Sequence, residues 1–134
     1  MKTSILTIVI VFLGYLGYTQ ENWTIVEENE QFSISAKEIE YKNASDGIHH
    51  RRIVFRYENH TAHSIVLHFN REVTYDGHSK LQEQDFVVSL SVSGIMEYDE
   101  SKKYDKTYYL FKKDNNNTIK KSLDHFKIIH LRIN

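Results

Sequence analysis

The stretch Phe86-Val87-Val88-Ser89-Leu90-Ser91-Val92-Ser93 decides the fold class. Phe86, Val88, Leu90 and Val92 share one parity, while Ser89, Ser91 and Ser93 take the other. A period of two is the pattern of a half-buried strand, and no stripe of helical spacing runs through it. The four apolar residues are therefore expected to face a core and the serines to face solvent.

The same pattern spreads outward along the chain. Ile65, Leu67 and Phe69 alternate with His68 and Asn70, and Val73 and Tyr75 extend that strand past an irregularity. Asp76-Gly77 then reads as a tight hairpin, because both residues tolerate a positive φ. Upstream, Ile53, Phe55 and Tyr57 share a face opposite Arg52 and Arg56. Asp46-Gly47 is a second hairpin signal, and Glu58 to Ala62 is polar and turn-like. Phe32, Ile34 and Ala36 share a face, but Ile39 and Tyr41 follow in the opposite phase. A bulge near Lys37-Glu38 is expected to turn both sets inward. Downstream, Thr107 to Phe111 and Phe126 to Ile133 supply further strands. Ile128, Ile129, Leu131 and Ile133 make the last apolar enough to be central, and Thr118 to His125 has room for a short helical turn. About seven strands separated by turn signals predict an all-β fold, a two-sheet antiparallel immunoglobulin-like β-sandwich.

Residues 1–19 read differently. Lys2 precedes an apolar run from Ile5 to Leu16, and Gly17 and Thr19 are small. The run is shorter than the ~20 residues that span a bilayer. It matches a secretory signal peptide cleaved before Gln20. Residues 20–134 are then one β-sandwich domain, secreted or periplasmic, with no stable membrane insertion once the signal is removed.

Composition narrows the function. The 134 residues carry 17 Lys and Arg against 18 Asp and Glu, so no basic field recommends nucleic acid as a partner. With no Cys there are no disulfides, thiolate metal sites or thiol nucleophiles. With no Pro there is no Pro-rich linker. At 40% hydrophobic and 26% charged residues, the chain can build a core by packing alone.

Gly47-Ile48-His49, the run from Ile53 to Thr61, and Tyr75-Asp76-Gly77 resemble a group of small secreted β-sandwich proteins of unknown function common in Bacteroidetes. The closing strand, Leu123 to Ile133, is also similar, and the likeness covers roughly residues 30–133. The resemblance implies the fold and export, and it implies no activity.

Eight histidines invite a metal reading: His49, His50, His60, His63, His68, His78, His125 and His130. Their spacing matches no ligand motif, and His49 and His50 point to opposite faces of a strand, so neither a metal site nor a cofactor is expected. No Gly-x-Ser-x-Gly elbow occurs, and beyond residue 19 only Gly47, Gly77 and Gly94 remain for a phosphate loop. No catalytic residue is assigned, and the chain is not expected to be an enzyme. Lys37, Arg51, Arg52 and Arg56 make a basic strip if their strands adjoin, and Tyr98, Tyr104, Tyr108 and Tyr109 are candidates for an aromatic surface. The sequons at Asn22, Asn43, Asn59 and Asn116 read as turn chemistry.

Recognition in a sandwich falls to the loops at its ends or to an exposed sheet face, because the inner faces make the core. The loop from Tyr98 to Lys106 is long, mixed in charge, and carries Tyr98 and Tyr104 as candidate binding residues. The expected function is a non-catalytic binding or surface-associated module for an unknown protein or glycan. The alternatives are an accessory domain of an exported assembly and a small secreted hydrolase. Intact mass of exported material is expected to show cleavage between Thr19 and Gln20. A full-length species retained in membranes would overturn the leader reading.

Overall fold

The computed structural model describes residues 22–43, 48–114 and 122–134. The leader over residues 1–19, the Asp46-Gly47 turn, the Asn116 sequon and the start of the Thr118 helical turn lie outside them. Eight strands are formed among the described residues: β1 (Thr24–Glu28), β2 (Phe32–Asn43), β3 (Ile48–Asn59), β4 (Ile65–Tyr75), β5 (His78–Leu90), β6 (Ile95–Glu97), β7 (Tyr109–Asp114) and β8 (Leu123–Ile133). Sheet A runs β1-β2-β3, with β6 and β7 both pairing the far edge of β3. Sheet B runs β5-β4-β8. Every pairing is antiparallel, so the chain is an all-β, two-sheet sandwich. No helix among the described residues is long and apolar enough to cross a membrane.

Between the sheets lies an aromatic core. Phe55 meets Phe126 edge-on at 5.4 Å, Tyr57 meets Phe69 at 5.7 Å, and Phe69 stacks on Phe86 at 5.5 Å. Ile34, Leu67, Val88 and Leu90 fill the space around the rings. Phe55, Tyr57, Ile65, Leu67, Phe69, Phe86, Val88 and Leu90 are all buried, as their alternation predicts. The hairpin at Asp76-Gly77 also forms as expected, with φ of 49° and 82° at its two residues. Those paired left-handed conformations suit the right-handed twist of the strands they join.

Four expectations are corrected. The bulge near Lys37-Glu38 is absent, because β2 and β3 keep one register from Phe32↔Asn59 to Asn43↔Ile48. Ile39 and Tyr41 therefore lie on the outer face of sheet A, where Tyr41 stacks on His50 and is buried all the same. Val92 is 54% exposed rather than in the core. The strand stops at Leu90, and Ser93 takes a φ of 51° as the chain turns. Gly94 closes that turn by donating to the Ser91 carbonyl at 2.8 Å. A Cβ there would collide with the Ser91 hydroxyl and carbonyl, so the turn requires glycine.

β8 is an edge strand of sheet B, not a central one. It is apolar on both parities because His130, with a φ of 54°, adds one residue to the strand. Ile128 faces the core before the bulge, and Leu131 and Ile133 face it after. Finally, Leu123 to His125 are already strand, which removes the described end of the expected helical turn.

Phe55 is fully buried at the centre of β3, so Phe55→Ala is expected to destabilise the domain by about 3–5 kcal/mol. Chemical denaturation measures this, and a loss below about 1 kcal/mol would contradict the packing described.

Candidate functional site

The loop between β6 and β7 leaves and rejoins one edge strand. Tyr98 donates its N–H to the Phe55 carbonyl at 3.1 Å, and the Phe55 N–H donates to the Tyr108 carbonyl at 3.0 Å. The two feet of the loop thus stand on the same residue, which makes residues 99–107 a compact Ω-type excursion. Asp99 caps its first turn by accepting from the Ser101 N–H at 2.9 Å, and a short 3-10 turn follows over Glu100–Lys102.

Two buried arginines hold this loop, one from each face of sheet A. Arg52, 4% exposed, lies on the outer face of β3. Its guanidinium carbon is 3.8 Å from the Tyr41 ring centre and 3.9 Å from that of Tyr109. β2 and β7 flank β3, so each supplies one ring. Arg52 Nε donates to His50 Nε2 at 2.9 Å, and Nη1 donates to the Lys103 carbonyl and to the Tyr98 hydroxyl at 3.3 Å.

Arg71 is 0% exposed and sits in the core itself. It lies 3.9 Å from the Phe86 ring centre, donates from Nε to Gln82 Oε1 at 2.8 Å, and donates from Nη2 to the Lys106 carbonyl at 2.8 Å. Its Nη1 is buried without a hydrogen-bond partner. Among the described residues neither guanidinium pairs with a carboxylate. Burial pushes Arg71 down to about 10, opposed by Tyr57, Tyr75 and Asp105, so it remains a cation at neutral pH. Beside it, the Tyr57 hydroxyl donates to the Thr107 carbonyl, and burial pushes that phenol far above the ordinary tyrosine range.

The segment Tyr104-Asp105 is therefore bracketed by two clamped carbonyls, those of Lys103 and Lys106. Facing it is a bulge in β5, where the register slips between Phe69↔Phe86 and Arg71↔Gln82. Asn70 fixes that bulge by donating to the Gln84 carbonyl at 3.0 Å and to Asp85 Oδ1 at 2.8 Å, while its own oxygen contacts His130 Nδ1 at 2.9 Å. Between loop and bulge is a recess of about 540 Å³, open to solvent and lined by Gln84, Ser101, Tyr104, Asp105 and Lys106.

The two tyrosines singled out in the sequence part company here. Tyr104 is 67% exposed and lines the recess. Tyr98 is half-buried, packs against the core and accepts from Arg52. Tyr108 is buried and Tyr109 half-buried, so the four tyrosines form no common surface. The basic strip forms in part. Lys37, Arg52 and Arg56 share the outer face of sheet A, whereas Arg51 faces the other way and pairs with Glu38. Trp23 lies 4.6 Å from Lys37 Nζ and 5.1 Å from the Arg56 guanidinium. The sequon residue Asn59 is buried, donating to the His63 and Ser91 carbonyls and accepting from Thr61, and so acts as a structural clamp.

Among the described residues no three His, Asp or Glu converge as metal ligands. Ser33 Oγ lies 3.3 Å from His60 Nε2, and Glu58 Oε2 approaches both at 3.4 and 3.7 Å. A catalytic relay needs the acid on the other ring nitrogen, so this arrangement does not activate the serine. The sequence reading missed Arg71, although its signal was present: Arg71 has the parity of Ile65, Leu67, Phe69, Val73 and Tyr75.

Above about pH 10 unfolded tyrosines ionise, whereas burial holds Tyr57, Tyr75, Tyr98 and Tyr108 protonated in the fold. The folded state then binds more protons than the unfolded one, so stability falls as pH rises. Arg71 opposes this, because losing its proton in the fold relieves a buried charge. Denaturation midpoints are expected to be level between about pH 7 and 9 and to fall above about 10, less steeply in Tyr57→Phe. A midpoint that climbs above about pH 10 would show Arg71 outweighing the tyrosines. Comparison with protein-family models, curated proteins and solved structures finds no match to this chain.

Proposed function

We propose that the chain is an exported, non-catalytic binding or surface-associated module with an immunoglobulin-like sandwich, secreted or periplasmic, which meets its partner through the loop from Tyr98 to Lys106. The observation that carries this reading is the double arginine clamp around Tyr104. An exposed aromatic on a slack loop loses affinity to the ordering it undergoes on binding, and a clamped one does not. Burying a guanidinium without a carboxylate costs several kcal/mol that rings and carbonyls only partly offset, and an apolar side chain of similar volume is often the more stable choice. Two such burials directed at residues 103 and 106 favour a loop whose shape matters. Tyr98 serves as the inner foot of this device and Tyr104 as its contact.

With any ligand captured by the wild-type protein, Tyr104→Ala is expected to weaken binding on the order of tenfold or more without loss of fold. Arg71→Met is expected to weaken it less, with faster amide exchange at Tyr104 to Lys106 and unchanged protection in β3. Equal affinity in a folded Tyr104→Ala protein overturns the contact site. Turnover in a broad hydrolase screen overturns the non-catalytic reading.

A further inference from the structure

The chemistry of the recess selects a ligand class, and this step rests on the binding reading above. From the residues that line it, we infer that the recess between the loop and the β5 bulge is a subsite for a neutral polysaccharide.

Each lining group suits a sugar in a different way. Tyr104, a residue two-thirds exposed, has Lys103 Nζ 5.4 Å from its ring centre on one face and offers the other as an apolar platform for the C–H face of a pyranose. Sugar hydroxyls both donate and accept, so a site needs both kinds of partner. The Gln84 amide offers both, the Ser101 hydroxyl, whose proton goes to Asp99 Oδ1, accepts, the Asp105 carboxylate accepts, and the Lys106 ammonium donates. Asp105 already takes the Thr107 N–H on Oδ1, which leaves its second oxygen for a ligand. The recess holds one acid and one base, and the whole chain has a formal charge of −1, so nothing favours a polyanion.

Shape argues in the same direction. Small-molecule sites enclose 70–90% or more of a drug-sized ligand and are mostly apolar. This recess is open and polar, which suits a polymer lying across it. A protein partner is less well served, since interface hot spots need a cluster of desolvated apolar anchors. None of the other exposed apolar residues, Val87, Val92, Ile95 or Met96 among them, lines the recess.

Both walls are held by adjacent residues of β4. Asn70 fixes the bulge that carries Gln84, and Arg71 fixes Lys106. Preorganisation of this kind allows weak polar contacts to add up without an ordering cost.

Affinity electrophoresis in native gels tests the inference, with laminarin, xyloglucan, glucomannan and glycogen as neutral probes and heparin and polygalacturonate as charged ones. Retardation by at least one neutral polysaccharide is expected, insensitive to added salt. It should weaken on the order of tenfold or more in Tyr104→Ala and stay near the wild-type value in Tyr104→Phe, which keeps the ring. Retardation by the charged probes alone, or by none, overturns the sugar assignment. Equal loss in Tyr104→Phe and Tyr104→Ala also overturns it, because stacking would not then be the contact. Tyr104-dependent binding of a purified protein without any retardation leaves the binding module standing and removes the sugar. Neutral-sugar retardation unchanged in Tyr104→Ala overturns the recess as the subsite and the loop as the contact site.

Discussion

A guanidinium at a core position of β4 constrains the rest of the molecule. Arg71 has no solvent and, among the described residues, no carboxylate in hydrogen-bond contact, so its charge must be met by the polar groups that reach it. Gln82 arrives from β5, the Lys106 carbonyl arrives from the loop, the faces of Phe86 and Phe55 lie against it, and Tyr57, Tyr75 and Asp105 add to the compensation. The fold around Arg71 is therefore not free to let the loop wander. Releasing Lys106 would leave a second Nη group without a partner in an apolar interior, which costs about 1–3 kcal/mol or more for a charged group.

The interrupted edge strand is the geometric counterpart of that demand. β6 and β7 occupy one lane along β3, and the eleven-residue interval between them stays closed at its base because Phe55 bonds both feet. Above the base, Arg52 and Arg71 approach from opposite faces of the sheet and take the carbonyls of Lys103 and Lys106. A single anchor would let the segment pivot. Two anchors three residues apart fix the orientation of the backbone that carries Tyr104.

The residue before Arg71 in β4 is a second polar organiser. Asn70 supports a bulge in β5 and contacts the bulged β8 residue His130, so both edges of sheet B are bent at one level. Such kinks re-aim side chains and disturb the flat edge that would otherwise invite pairing with another chain. At the far end of β3, Asn59 joins the following turn to the one at Ser91. Small buried amides thus set the positions of turns that packing alone leaves loose.

Much of the fold was legible along the chain. Period-two alternation placed Phe55, Tyr57, Leu67, Phe69, Phe86, Val88 and Leu90 in a core, because a pleated strand offers only two faces and one of them is buried. Asp76-Gly77 announced its hairpin, because two successive left-handed residues suit few other pairs. The loop from Tyr98 to Lys106 was visible as the long charged connection, with Tyr98 and Tyr104 as its aromatics, but that Tyr104 alone is exposed was not. What alternation could not show is that both faces of sheet A are covered near Arg52. Arg52 was read as outward surface and Tyr41 as turned inward by a bulge, yet both lie on the outer face, where Tyr109, His50 and the Lys103 carbonyl cover them. The irregularity expected between Phe69 and Val73 is there, as register shifts of β4 against β5 and β8, but alternation did not show that a buried Arg71 sits in it. The sequence by itself determined strands, parity and tight turns, since these depend on neighbours within a few residues. The burial of two cations and the clamped recess were decided only by tertiary structure, because their partners, at Lys103 and Lys106, lie 51 and 35 residues away.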